Sequence, residues 1–276
     1  MGDKLKGESA IITGGAQGIG KAIAVKFAQE GANVLIMDID LDKSNETAEE
    51  CKKLGVKAAV MAGKDKGDIT KYENCAAAAE LAKNELGGLT ILINNAGLTL
   101  DKPAHTLSDA WWEIILNVIL VGSFNMTKAV APIMQDANYG TIWNVSSVAG
   151  IGGNAAQINY SSAKSALVGL TKACARELGP SNIAVNVVGF GAVWTRLVAP
   201  HDEVEILGQK MADMKAIRGQ DPDQVMKMYK AGIPMCKTRD TALMPDDVAN
   251  WFVAACSRDF HYMTGQWMIF SGGMII

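Results

Sequence analysis

The sequence Thr13-Gly14-Gly15-Ala16-Gln17-Gly18-Ile19-Gly20 joins a short apolar run, Ser9–Thr13, to a segment of helical periodicity. Glycines at such a junction let the backbone turn tightly and let a pyrophosphate approach the N-terminus of the following helix. The spacing Gly14-x-x-x-Gly18-x-Gly20, directly after a first strand, therefore predicts a dinucleotide-binding loop.

Two other interpretations of this loop are open. Gly15-x-x-x-x-Gly20-Lys21 nearly matches a P-loop, but the next residue, Ala22, has no hydroxyl to bind Mg²⁺. This disfavours a nucleotide triphosphatase. The second alternative is a glycine-rich turn that serves packing alone, which the position after the first strand disfavours.

Asp38 ends the second apolar run, 24 residues beyond Gly14. A carboxylate at this place accepts hydrogen bonds from the adenosine ribose hydroxyls and repels a 2′-phosphate. Residues 14–20 and 39–42 contain no Arg or Lys that could receive such a phosphate. The sequence therefore favours NAD over NADP, the alternative being a solvated aspartate at a strand end.

Short apolar runs alternate with longer segments of helical period along the whole chain. Val34–Met37 and Ile91–Ile93 are apolar at every position, which is typical of strands covered on both faces. The alternation predicts one doubly wound α/β domain over residues 1–276, with a parallel sheet and helices on both faces. The predicted strands are Ser9–Thr13, Asn33–Asp38, Lys57–Ala62, Ile91–Asn94, Thr141–Val145, Ile183–Val188 and Met268–Phe270. The predicted helices lie near Gly18–Glu30, Leu41–Leu54, Thr70–Leu86, Asp109–Met134, Ala155–Leu178 and Pro245–Cys256, and Thr70-Lys71-Tyr72-Glu73 fits a capping box.

The segment of about 190–240 interrupts this alternation of strands and helices, which predicts a substrate lid or loop there. It carries five of the 14 methionines, namely Met211, Met214, Met226, Met228 and Met235. Methionine adapts to irregular apolar ligands and also fills ordinary core gaps. Both interpretations stay open.

Tyr160 and Lys164 are four residues apart on a predicted helix and so share one face. A cation beside a phenol favours the phenolate, which brings the phenol's pKa toward the working range of an acid–base catalyst. Ser146 and Ser147 end the fifth predicted strand, at the edge where ligands bind in this architecture. Taken alone, a Tyr-x-x-x-Lys pair is more often part of a solvated helix surface. A catalytic role is favoured because the glycine loop, the acidic strand end, the strand-end serines and this pair occur together in this order.

Composition excludes several classes of protein. The chain is 49% apolar and 20% charged with a net charge of −3, which argues against disorder and against nucleic acid as a partner. Five cysteines without a Cys-x-x-Cys pair and three dispersed histidines predict no metal site. The N-terminus lacks a signal-peptide pattern and the longest apolar stretch, near Ile114–Val121, is too short to span a bilayer, so we expect a soluble cytoplasmic protein without membrane contact.

Over essentially its whole length the sequence resembles the short-chain dehydrogenase/reductase family. The matching motifs are Thr13–Gly20, Asp38, Asn94–Gly97, Asn117, Asn144–Ser147, Tyr160/Lys164 and Thr195. The resemblance implies a seven-stranded Rossmann-type domain, assembled as a homotetramer. The sequence departs from the family's pattern at Phe190-Gly191, where the family usually has Pro-Gly. We expect a changed loop path beside the nicotinamide there, with catalysis retained.

The resemblance implies catalytic roles for four residues. Tyr160 would exchange a proton with the substrate oxygen, Ser147 would hydrogen-bond that oxygen, and Lys164 would bind the nicotinamide ribose and tune Tyr160. Asn117 would hold the water that links Lys164 to solvent. The implied cofactor-binding residues are Gly14, Gln17, Gly18, Ile19, Gly20, Asp38, Asp68, Asn95, Ala96, Gly97, Tyr160, Lys164, Val193 and Thr195.

From the sequence we expect an NAD(H)-dependent oxidoreductase that interconverts a secondary alcohol and a ketone. The methionine-rich lid suggests an apolar alicyclic small molecule, such as a hydroxysteroid, a bile acid or a cyclic alcohol. One alternative is a 3-oxoacyl-thioester reductase, which would predict NADPH preference and, with a carrier protein, a basic docking patch; Asp38 and the missing basic cluster count against both. The other alternative is a non-catalytic dinucleotide-binding regulator or scaffold, which typically lacks a catalytic residue.

Overall fold

The computed structural model describes residues 2–195, 205–206, 209–210 and 222–275. Seven strands form one sheet in which every neighbouring pair is parallel. In chain order the strands are β1 (Ser9–Thr13), β2 (Asn33–Asp38), β3 (Ala58–Ala62), β4 (Ile91–Asn94), β5 (Gly140–Ser147), β6 (Ile183–Phe190), β7 (Glu205–Ile206), β8 (Gln209–Lys210) and β9 (Trp267–Phe270), with β7 and β8 in a separate antiparallel ladder.

Helices cover both faces of the sheet. They are α1 (Gly18–Gln29), α2 (Leu41–Lys52), α3 (Tyr72–Leu86), α4 (Asp109–Leu116), a π turn (Asn117–Val121), α5 (Gly122–Asp136), α6 (Ala149–Gly152), α7 (Ile158–Leu178), α8 (Pro222–Gly232), α9 (Pro234–Arg239) and α10 (Pro245–Ala255). Short 3₁₀ turns lie at Gly179–Ser181 and Arg258–Phe260.

In the strand order β3-β2-β1-β4-β5-β6-β9, the direction in which successive strands are added to the sheet reverses between β1 and β4. From β1 the chain builds outward through β2 and β3, and from β4 it builds outward on the other side. The helices after β1 and β4 therefore diverge, which leaves a crevice at the carboxyl ends of these strands. The doubly wound α/β prediction is confirmed.

Successive residues of the inner strands pack into opposite cores. Ile12 and Ile36 join the cluster under α1 and α10, whereas Ile11, Leu35 and Leu92 join the cluster under α3 and α5. All these side chains are fully buried. Burial on both faces is why these strands are apolar at every position.

Several predicted boundaries shift in the structure. β5 and β6 each run two residues further than predicted, to Ser147 and Phe190. The predicted capping box at Thr70 is wrong: α3 begins at Tyr72 with Lys71 as its N-cap and no side-chain capping bond. The Thr70 hydroxyl instead donates to the Asp68 carboxylate at 2.7 Å, so it is engaged in the loop before the helix.

Among the described residues, the helical stretch Asp109–Asp136 is long and apolar enough to cross a membrane by length and composition. This is longer than the apolar run that the sequence suggests, because α4, the π turn and α5 are continuous. Half of its most apolar window is buried inside the fold, and α5 packs in the same core as α3. A core helix of a folded domain accounts for this composition.

The predicted lid lies partly outside the described residues, and Met211 and Met214 are among those not described. Within the described part, α8 and α9 follow one another before α10. Met228 and Met235 are exposed and Met226 is half-buried. Whether the segment acts as a lid stays a prediction.

Candidate active site

The first part of the site is the contact between the ends of β1 and β4. The Thr13 hydroxyl accepts hydrogen bonds from the N–H groups of Asn95 and Ala96, both at 3.0 Å. The Asn95 amide donates to the carbonyls of Thr13 at 2.9 Å and Gly14 at 3.3 Å. Asn95 and Ala96, two predicted cofactor-binding residues, therefore fix the glycine loop to the neighbouring strand.

The backbone angles and close contacts of the glycine loop explain why it is rich in glycine. Gly14 and Gly18 have φ values of +66° and +57°, a region that favours glycine. A Cβ at Gly20 would collide with the Gly14 carbonyl and lie 2.8 Å from the Asn95 amide nitrogen. The N-cap residue of α1, Gln17, makes no side-chain capping bond, so the first-turn N–H groups face the loop without a side-chain acceptor. These features fit a dinucleotide pyrophosphate, while Ile19 packs against the core behind it.

Asp38 lies at the carboxyl end of β2, half-buried beside the glycine loop. Its carboxylate accepts the N–H of Ala16 at 3.1 Å and of Asp40 at 3.0 Å. Burial raises the pKa of the Asp38 carboxyl, and these two N–H groups oppose the shift. The nearby lysines are paired with other carboxylates, Lys21 with Glu50 at 2.8 Å and Lys43 with Asp40 at 3.1 Å.

Asp68 lies in the loop between β3 and α3, next to the same strand end. The preceding Gly67 packs so closely on the Asp38 carbonyl that a Cβ there would collide with it. One carboxylate oxygen of Asp68 accepts the N–H of Thr70 at 3.0 Å and the Thr70 hydroxyl at 2.7 Å. The structure thus brings Asp68 to the Asp38 side of the crevice.

Val193 and Thr195 follow β6 and return toward the glycine loop. The Thr195 methyl lies 3.8 Å from the position of a Cβ at Gly18. Val193 pairs with Leu243, and the intervening Trp194 N–H donates to the Leu243 carbonyl at 2.8 Å. This segment reaches the start of α1.

Three predicted catalytic residues lie on β5 and α7, two elements that are joined by hydrogen bonds. Ser147 is the last residue of β5, and its hydroxyl accepts the Ala149 N–H at 3.1 Å. Tyr160 lies in the first turn of α7 and Lys164 one turn later, with the ammonium 5.6 Å from the centre of the Tyr160 ring. The Ser146 hydroxyl donates to the Lys164 carbonyl at 2.7 Å and ties α7 to β5.

Asn159 anchors the start of α7, a role that the sequence analysis missed. Its buried amide donates to the carbonyls of Leu100 at 3.0 Å and Trp111 at 3.3 Å, and its oxygen accepts the Tyr160 N–H at 2.8 Å. Ala156, two residues before α7, has φ +64°, and its carbonyl accepts the N–H of Lys102 at 2.8 Å. A polar residue directly before the predicted catalytic tyrosine is the signal that could have identified it.

Lys164 is a buried cation, 4% exposed. Its ammonium donates to the Val145 carbonyl at 2.6 Å. Burial lowers the pKa of Lys164 to about 7 because the charged form is removed from water. Near neutral pH this side chain can therefore either hold or release a proton.

Asn117, the fourth predicted catalytic residue, lies in the turn between α4 and α5, and its role stays a prediction. Asn117 is exposed at the first residue of the π turn. Residues two apart on a helix lie on roughly opposite faces, and it is the fully buried Ile119 that turns inward. A Cβ at Gly97 would lie 3.5 Å from the Lys164 nitrogen and 3.7 Å from Ile119 Cγ1, so Gly97 is close to both side chains.

The described residues contain no group of three or more His, Cys, Asp or Glu that could hold a metal ion. All five cysteines have free thiols. Burial raises the pKa of both Cys51 and Cys75 to about 12, which suppresses the nucleophilic thiolate. The chemistry of the described part of the chain is concentrated at the carboxyl edge of the sheet.

Comparison with known proteins gives concordant results. Residues 8–205 match the family model described as short chain dehydrogenase. The chain is 35% identical over 98% of its length and 98% of the relative to a 3-oxoacyl-[acyl-carrier-protein] reductase of Aquifex aeolicus. It is 34% identical, over 96% of its length and 95% of the relative, to a subunit of (2S)-[(R)-hydroxy(phenyl)methyl]succinyl-CoA dehydrogenase of Thauera aromatica. A short-chain type dehydrogenase/reductase from Mycobacterium marinum superposes with a TM-score of 0.82 at 28% identity, over 98% of this chain and 96% of that one.

Proposed function

The chain belongs to the short-chain dehydrogenase family and is an oxidoreductase of that family, and on this premise we propose that it interconverts 3-hydroxyacyl and 3-oxoacyl thioesters with NAD(H). The observation that carries the proposal is the position of Ser147, Tyr160 and Lys164 at the same sheet edge as the glycine loop. A hydroxyl, a phenol and a buried amine then lie at the edge of the sheet where this fold binds dinucleotides.

Each of these side chains has a defined task in the proposed reaction. The nicotinamide, when bound, donates or accepts the hydride. The Tyr160 phenol exchanges a proton with the substrate oxygen, and the Ser147 hydroxyl donates a hydrogen bond to that oxygen as negative charge develops on it. Lys164 stabilises the Tyr160 phenolate, and Asn159 holds the first turn of α7 that carries the tyrosine.

Asp38 supports NAD as the cofactor. Its carboxylate is held at the end of β2 by backbone N–H groups, and a carboxylate has further acceptor positions for ribose hydroxyls. A 2′-phosphate at the same place would meet this negative charge. Lys21 and Lys43, the nearby cations in sequence, already neutralise Glu50 and Asp40.

The thioester substrate is favoured over the alicyclic alcohol that the lid composition suggests. Both curated relatives described above are named for acyl thioesters, one on a carrier protein and one on CoA, and each matches this chain over nearly its full length. We propose that the acyl group is carried as a CoA thioester and not on a carrier protein. With a net charge of −3 and no basic cluster, the chain offers little for a carrier protein's acidic surface to bind.

The exposed apolar side chains support assembly with further copies of this chain, and we propose a homotetramer. Val121 and Phe124, at the π turn and α5, are 37% and 48% exposed, and Met268 and Ile269 on the edge strand β9 are 37% and 40% exposed. Such side chains gain by burial against another copy. Light scattering is expected to give the mass of four chains, and the mass of one chain would remove this proposal.

Steady-state assays of nicotinamide absorbance test the substrate and the cofactor together. The substrates are 3-oxoacyl-CoA, the same acyl group on a carrier protein, and a panel of cyclic ketones and oxosteroids, each with NADH and with NADPH. We expect the highest kcat/KM with NADH and the CoA thioester. Turnover of the cyclic ketones alone would overturn the substrate, and turnover with NADPH alone would overturn the cofactor.

A further inference from the structure

The loop of residues 63–71 joins β3 to α3 and lies beside the carboxyl end of β2. The two strands pair in parallel with Asp38 opposite Ala62, so the loop leaves the sheet next to the carboxylate that we assign to the adenosine ribose. Gly67 packs so closely on the Asp38 carbonyl that a Cβ there would collide with it, and Asp68 follows. A base attached to a ribose at Asp38 therefore has this loop as its neighbour.

This loop is fixed by a side chain from α5, a helix that is distant from it in sequence. The amide of Asn125 donates one hydrogen bond to the Ile69 carbonyl at 3.1 Å and a second to the Thr70 carbonyl at 3.0 Å. Asn125 is 7% exposed, and its two amide hydrogens are both used in this way. Carbonyls in a loop have no strand ladder to pair with, so a buried donor of this kind determines where they lie.

A glycine lets α5 come close enough for these bonds. Gly122 precedes Asn125 by three residues and so lies on the same face of the helix. A Cβ at Gly122 would collide with the side chain of Ile69, which is itself 5% exposed. The loop is therefore held against α5 both by packing at Ile69 and by the amide of Asn125.

Thr70 connects this contact to the carboxylate of Asp68. Its carbonyl accepts from Asn125, while its N–H and hydroxyl donate to one oxygen of Asp68 at 3.0 Å and 2.7 Å. Because both of these bonds reach the same oxygen, the carboxylate keeps acceptor capacity on the other. An exocyclic amino group, such as that of adenine, is a donor that this oxygen could bind.

We propose that Asn125 is a positioning residue for the adenine end of the cofactor. It holds Thr70, and through Thr70 it holds the Asp68 carboxylate where this group accepts a hydrogen bond from the adenine amino group. The inference rests on the proposed binding of NAD(H), and it adds a preference for the base itself, set from a helix outside the loop.

The test compares NADH with its hypoxanthine analogue, in which a carbonyl replaces the amino group of the base. Fluorescence titration of the full-length protein gives the two dissociation constants. We expect the wild type to bind NADH about tenfold more tightly, because a carboxylate accepts from an amino group and repels a carbonyl oxygen. Asn125→Leu removes the donor at similar volume and should reduce this preference to about twofold, mainly by weakening NADH. Asn125→Asp, of nearly unchanged shape, is the second variant in case the leucine variant does not fold, and it should lower the preference in the same direction.

Asn33→Asp is the matched control at the opposite edge of the sheet. The Asn33 amide also donates to a backbone carbonyl, that of Leu86 at 3.0 Å, so its loss should lower stability in urea unfolding and leave the preference for NADH unchanged. A folded Asn125 variant that keeps the wild-type preference, an equal change in Asn33→Asp, or a wild type that binds both dinucleotides equally would overturn the inference. Failure of the wild type to bind either dinucleotide would remove the proposed cofactor and this inference together. Intact binding without turnover would count against the proposed reaction alone.

Discussion

Asp38 and Lys164 are two charged groups at the same edge of the sheet, and the fold buries them in different ways. Asp38 receives two backbone N–H groups that oppose the effect of burial on its pKa. Lys164 donates to one carbonyl, and burial brings its pKa down to about 7. Backbone donors therefore offset part of the effect of burial at Asp38, whereas burial alone sets the lowered pKa of Lys164.

The largest expected effect is on the catalytic side of this comparison. Tyr160→Phe removes the phenol that exchanges the proton, and we expect kcat to fall about 10³-fold. Affinity for the cofactor should stay within about twofold in a tryptophan-fluorescence titration, because the ring and its contact with Lys164 remain. Tyr139→Phe, at the amino end of β5 and far from the crevice, is the matched control. A Tyr160→Phe enzyme that keeps a tenth of the activity would contradict the assignment.

The second effect is on the cofactor side, which depends on the close packing of the glycine-loop backbone. Gly20→Ala introduces a Cβ against the Gly14 carbonyl and the Asn95 amide, and we expect a loss of about 3 kcal/mol in the free energy of unfolding together with weaker cofactor binding. Gly169→Ala, on α7 in open space, is the control and should gain about 0.5–1 kcal/mol. Equal stability of the two variants in urea unfolding would show that the loop is not packed as described.

Lys164→Met tests how much the burial of this amine costs in stability. The variant should lose turnover, yet we expect it to be more stable than the wild type by about 1–3 kcal/mol at neutral pH. Burial lowers the pKa of Lys164 from 10.5 to about 7, so the unfolded wild-type chain binds more protons than the folded one between these pH values. Wild-type stability therefore rises with pH across this window, and the advantage of methionine is largest below about pH 7. Thermal unfolding at several pH values measures it, and a destabilised variant would contradict the account.

Asp38→Ser gives the smallest effect. Loss of the carboxylate removes an acceptor for the ribose hydroxyls and the repulsion of a 2′-phosphate, and we expect the preference for NAD over NADP in kcat/KM to fall about tenfold, roughly 1.4 kcal/mol. Asp42→Ser, at an exposed position in the first turn of α2, should leave the preference unchanged. A preference that responds equally to both substitutions would count against the role of Asp38.

The two sides of the site also differ in how far the sequence predicts them. The glycine loop and Asp38 were predictable because strand ends and glycine spacing determine the backbone there, and the structure places them as expected. Ser147, Tyr160 and Lys164 were predictable from their order along the chain. The role of Asn117 stays a prediction, because the π turn determines which side of the helix each residue faces and no spacing rule in a single sequence marks a π turn.

Other details depend on hydrogen-bond partners that the sequence pattern does not indicate. Asn159 was missed because its acceptors, the carbonyls of Leu100 and Trp111, are 59 and 48 residues away. The sequence assigns Thr70 to a capping box, whereas in the structure its hydroxyl donates to the carboxylate of Asp68, two residues earlier in the loop. A tertiary contact at Asn159 and a competing local contact at Thr70 thus override the simple pattern.

Deuterium transfer tests the central claim most directly, that this sheet edge moves a hydride and a proton on an acyl thioester. NADH deuterated at the nicotinamide C4 is incubated with a 3-oxoacyl-CoA, and the product is analysed by mass spectrometry. We expect deuterium at the carbinol carbon of 3-hydroxyacyl-CoA with the wild-type protein and almost none with Tyr160→Phe. Unlabelled product from the wild type, or equal labelling by the variant, would contradict the account.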